Sequence, residues 1–151
     1  MAIYTILFSL FLSFQTNFHN YTEPVDLSGT WEGTVTQGEG GYSSSYFITL
    51  YLNDKDGHVT GTSVVGVDDI YAKIEVAGTF KDGLVLTLKD TKILEEKIAD
   101  KADMEWCIKS YLLILKKQDD QWLLEGHWRG KTSFGACTPG EVFLKRGVDR
   151  A

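Results

Sequence analysis

Proline occurs only twice in this 151-residue chain and cysteine only twice, whereas glycine occurs fifteen times. A chain so poor in proline, with 43% hydrophobic and 13% aromatic residues, is neither a low-complexity segment nor a disordered one, because it carries ample material for a packed core. Positive charge is also short. Fifteen Lys and Arg against twenty-one Asp and Glu leave a formal net charge of -6, the wrong sign for a surface that follows nucleic-acid phosphates. Partners that are neutral, apolar or basic suit this balance better. No nucleic-acid partner is expected.

Catalytic and metal-binding patterns are missing too. There is no G-x-S-x-G turn, no phosphate loop and no dinucleotide fingerprint. Gly38-Glu39-Gly40-Gly41 has no following helix to present its amides. His19, His58 and His127 are too scattered to share a zinc ion. Asp54-x-Asp56-Gly57 lacks the later glutamate and flanking helices of a calcium loop, and reads as a hairpin turn. Adjacent Asp68 and Asp69 point to opposite faces of an extended chain, so they do not form a paired acid and base. The chain therefore reads as non-enzymatic, with no cofactor and no metal.

The longest apolar run, Ala2 to Phe14, is shorter than the ~20 residues a spanning helix requires. It reads as part of an export leader over residues 1–22, without a basic segment before it or an evident cleavage site after it. An N-terminal strand or helix of the domain is the competing reading. Residues 23–151 form the single expected domain, placed in a secreted or periplasmic compartment with no integral membrane span. Asn20-Tyr21-Thr22 matches a glycosylation acceptor, relevant only in a eukaryotic secretory route. Cys107 and Cys137 suit an oxidising compartment as a disulfide pair, against the alternative of two buried thiols.

What the chain has in abundance is alternation. Leu27, Gly29, Trp31, Gly33 and Val35 share one face of a first strand, with polar residues between them. Tyr46 to Leu52 and His58 to Val67 flank an Asn-Asp-Lys-Asp-Gly turn, and Tyr71 to Phe80 and Leu84 to Leu88 flank Lys81-Asp82-Gly83. Residues 91–105 show both helical and extended spacing, and we read an extended strand ending in an irregular connection. Ile108 to Leu115, Trp122 to Arg129, and Val142 with Leu144 complete the series. About eight strands with short connections predict an all-β, antiparallel up-and-down barrel, since closure removes exposed sheet edges. A two-sheet sandwich of the same strands is the alternative.

Gly29-Thr30-Trp31 on the first strand, with Arg146 ending the last, resembles the calycin superfamily of lipocalins, fatty-acid-binding proteins and avidins. The resemblance implies that Trp31 closes the barrel floor while Arg146 packs across its ring. Leu27 to Trp31 and Gly57 to Thr62 are similar in type and separation to the first strands of avidins. The biotin site does not carry over, because Gly33, Ser63 and Val65 stand where that pattern places polar and aromatic ligands.

Two functions fit such a chain. One is a binding barrel that holds a small apolar or amphipathic molecule between aromatic walls, with Tyr46, Tyr51, Tyr71, Trp106, Tyr111, Trp122 and Trp128 as wall candidates. Plain core packing is the alternative for each, and a one-residue slip of register reverses every assignment. The other function is an extracellular interaction or inhibitor module with a filled barrel, using residues 38–45 and 131–137 as contact loops.

Overall fold

Along the strands alternate side chains are drawn out of water, and that periodicity closes the sheet on itself. The computed structural model describes residues 23–98 and 104–148. The proposed leader, His19 and the Asn20 acceptor lie outside the described residues.

Nine strands run in chain order: β1 (Gly29–Thr36), β2 (Ser45–Lys55), β3 (His58–Val67), β4 (Ile70–Lys81), β5 (Val85–Lys97), β6 (Ile108–Gln118), β7 (Gln121–Thr132), the short β8 (Gly135–Ala136) and β9 (Gly140–Arg146). Each pairs antiparallel with its neighbour from β1 to β7. β9 then inserts between β7 and β1, so eight strands form a closed ring and β8 is an appendage on β7. The expected up-and-down barrel is correct, and the sandwich alternative falls because no sheet edge separates two layers.

Inward positions carry the core: Trp31 and Val35 on β1, Ile48, Leu50 and Leu52 on β2, Ile74 and Val76 on β4, Leu86 and Leu88 on β5, Leu113 and Leu115 on β6, and Leu124 on β7. Burying each large aliphatic side chain contributes about 1.5–3 kcal/mol, which holds the register against slippage. The turns obey local chemistry. Asp56-Gly57, Asp82-Gly83 and Asp119-Asp120 all have positive φ at both residues, the backbone hand that matches the twist of the strands they join. Curvature demands close approaches between strands, one of them at Gly33. A Cβ on Gly33 would lie 1.8 Å from the Phe143 carbonyl oxygen, so only glycine lets β1 press against β9 there.

The two ends differ. The short β3–β4 turn lies at one end, while the tight β2–β3, β4–β5 and β6–β7 hairpins and the start of β1 gather at the other, the floor. There Leu27 is fully buried, the Trp31 indole N–H donates to Leu27 O at 2.9 Å, and the Arg146 guanidinium lies 5.1 Å from the Trp31 ring centroid. Arg146 also donates to the carbonyls of Asp26 and Ser28. The longer connections gather at the opposite end and form a mouth.

The extended reading of residues 91–97 is correct, since β5 follows β4 to Lys97 through two register shifts. β5 pairs with β6 only from Val85 to Lys89. Beyond that point the Asp90 side chain replaces the missing backbone acceptor, taking the Lys109 N–H at 2.8 Å.

Candidate functional site

The mouth contains a cavity of about 300 Å³. Its inner wall is made by side chains in the inward phase of their strands: Val35 on β1, Tyr46 on β2, Val65 on β3, Ile70 on β4, Lys109 on β6 and Trp128 on β7. Trp106, in the connection before β6, covers the side. The cavity lies at the small end of the range for ligand sites. At about 30 Å³ for each water-sized group, it accommodates about ten such groups.

The rim is tied down by polar contacts. The Tyr46 hydroxyl donates to Gln37 Oε1 at 3.0 Å and accepts the Ser43 N–H at 3.1 Å, which folds the β1–β2 loop over the opening. That loop meets the β7–β9 connection through Gly38 N–H to Pro139 O and the Thr138 hydroxyl to Glu39 O, each 3.2 Å. Trp128 is fixed by its indole N–H donating to Thr36 O at 2.8 Å. Cys107 and Cys137 form the expected disulfide with Cα atoms 6.3 Å apart, fastening the start of β6 to the rim. Glu105 turns its carboxylate to the N–H and hydroxyl of Ser133, which hold it below the usual carboxylate range.

Charge lies at the base. Lys109 is only 5% exposed, and its Nζ donates to Cys107 O at 3.0 Å. The same ammonium stands 5.2 Å from the centroid of the Trp128 ring and 5.7 Å from that of Trp106, close enough for cation-π attraction. Burial lowers its pKa, and the nearby Asp90 charge works in the opposite sense. Asp90 is pushed up to about 6 by its own burial, against the attraction of Lys109 and the bond from its backbone N–H. Tyr111, next inward on β6, is raised well above its ordinary value by burial and then by Asp90. Among the described residues neither the Tyr111 hydroxyl, Asp90 Oδ1 nor Ser63 Oγ completes a hydrogen bond, and the buried Trp106 indole N–H finds no acceptor there.

The candidate aromatics therefore divide. Tyr46, Trp106 and Trp128 line the mouth cavity. Tyr111 is in the barrel interior, 3% exposed. Trp122 is inward but belongs to the floor end, packed on the core with Lys117 over its ring at 5.3 Å. Tyr51 and Tyr71 do not line the interior: Tyr51 is 51% exposed on the outer phase of β2, and Tyr71 reaches the Glu95 carboxylate on the outside of β5. Both occupy the phase opposite to the core residues of their own strands.

Asp90 and Lys109 were absent from the sequence candidates. Their signal was a charge standing in phase with apolar neighbours, Asp90 after Leu86 and Leu88, and Lys109 before Tyr111 and Leu113. Among the described residues no cluster of His, Cys, Asp and Glu is arranged to hold a metal ion, and no helix is long and apolar enough to cross a membrane. Comparison with protein-family models, with curated proteins and with solved structures returned no match to this chain.

Proposed function

We propose that this chain is an exported, non-enzymatic barrel of calycin type that holds one small amphipathic molecule in its mouth. The observation that carries this reading is the 300 Å³ cavity bounded by Tyr46, Trp106 and Trp128, because three rigid aromatic surfaces supply contact area at little entropic cost. The floor contact of Trp31 with Arg146 supports the calycin assignment, and the Cys107–Cys137 bridge supports an oxidising compartment.

Tryptophan emission is the natural readout, since Trp106 and Trp128 form the cavity wall. Titration of the full chain with 1-naphthamide, a neutral bicyclic probe, should give saturable one-to-one quenching. Trp106→Ala should weaken binding by about tenfold or more, while Tyr51→Ala on the outer face leaves it unchanged. Equal binding by the two variants, or no saturable binding to the parent chain, refutes the reading.

A second reading, an interaction module, draws on Phe47 and Phe143. They flank Thr34 on adjacent strands of the outer wall and are 48% and 43% exposed. It is favoured if the mouth binds no probe while substitutions at these phenylalanines change the binding of a protein partner.

A further inference from the structure

The cavity has a chemical polarity that its aromatic walls do not explain. Among the described residues Lys109 is the one basic side chain of the lining, and Glu105, the one acidic side chain among them, is occupied by Ser133. A lysine ammonium offers three N–H donors. Only one has a hydrogen-bond acceptor among the described residues, Cys107 O. No carboxylate among these residues lies within salt-bridge distance of Nζ. Asp90, whose charge acts on Lys109, gives Oδ2 to the Lys109 backbone N–H instead.

An ammonium taken almost wholly out of water is costly unless it is paired and hydrogen-bonded. The ring faces of Trp106 and Trp128 offset part of that cost from the sides. They leave it without a counter-ion on the cavity side. A second lining group has the same sense, since the buried Trp106 N–H can only donate and has no acceptor among the described residues. Among the described residues, then, the lining presents one donor without a partner, the Trp106 N–H, and one charged donor only partly satisfied, Lys109 Nζ. The complement is an anionic acceptor with a flat apolar body.

Resting on the binding reading above, we infer that the molecule held in this mouth is a small organic carboxylate, bound with its head group on Lys109 Nζ and its body between Trp106, Trp128 and Tyr46. Its size is suggested by the cavity, which suits one or two fused rings or a short chain.

The test compares 1-naphthoate with 1-naphthamide, which share shape and differ in charge, by calorimetry on the full chain near neutral pH. The carboxylate should bind about tenfold or more tightly than the amide, the advantage expected of a charge-assisted hydrogen bond in a site shielded from water. In Lys109→Met the advantage should vanish while amide binding persists, and Lys109→Arg should restore part of it. Equal affinities in the parent chain overturn the carboxylate assignment and leave the binding reading intact. Binding of neither probe overturns both. A carboxylate preference that survives in folded Lys109→Met removes Lys109 from the role. If that variant does not fold, the parent ratio and Lys109→Arg still decide the matter.

Discussion

Asp90 offers a measurement that isolates one buried carboxyl from the rest of the molecule. It is 7% exposed, and burial moves it from the ordinary 3.8 up to about 6. The folded chain therefore holds this proton more tightly than the unfolded chain. Asp90 destabilises the fold progressively as pH rises from about 4 to about 6, and its effect is constant above that range. The gap between the two values corresponds to about 3 kcal/mol. Asp90→Asn keeps an oxygen for the Lys109 N–H but cannot ionise. Urea unfolding of both proteins between about pH 4 and about pH 7 gives the difference in stability at each pH, in which groups common to both largely cancel. That difference should move by about 2–2.5 kcal/mol in favour of the variant between about pH 4 and about pH 7, the rest of the gap falling below that window. A difference that stays flat would show that Asp90 is not desolvated in the folded chain and would refute the reasoning.

The remaining expectations concern the two ends of the barrel. Replacing Cys107 and Cys137 by Ser releases a cross-link spanning 30 residues and should cost about 3.5 kcal/mol by loop entropy, read as a lower urea midpoint; a loss below about 1 kcal/mol contradicts this estimate. Arg146→Ala removes the stack on Trp31 and the bonds to two carbonyls, and should cost about 2–3 kcal/mol with a changed near-ultraviolet signal from Trp31. Arg146→Lys should recover only part of that loss, since lysine lacks the flat guanidinium that lies over the Trp31 ring; full recovery contradicts the stacking role.

Architecture was legible because side chains with a period of two leave a plain trace. Trp31 and Val35, or Ile48, Leu50 and Leu52, mark their strands without help from distant residues. Turn chemistry was equally local at Asp56-Gly57 and Asp82-Gly83. Which phase faces inward was harder wherever both were apolar or aromatic. β2 carries Tyr46 and Tyr51 in opposite phases, and only closure with β1 and β3 sends Tyr46 to the mouth and Tyr51 to solvent. The height of a residue along the barrel is a property of the whole ring, so Trp122 and Trp128, six positions apart on β7, belong to opposite ends. The charged base of the mouth left a faint local sign in Asp90 and Lys109. Its meaning depends on β5 and β6 separating after Lys89, an event between strands that neither strand's sequence states alone.

Insertion of β9 between β7 and β1 governs how the molecule can be assembled. Hairpins from β1 through β7 join neighbours in the chain and form from short loops, but the last gap is spanned by residues as far apart as Asp26 and Arg146, separated by 120 positions. Contacts of that range are the slow ones. A chain emerging from synthesis therefore carries two raw borders, on β1 and on β7, until its final segment arrives, and a premature stop before Gly140 would leave a sticky ribbon in place of a container.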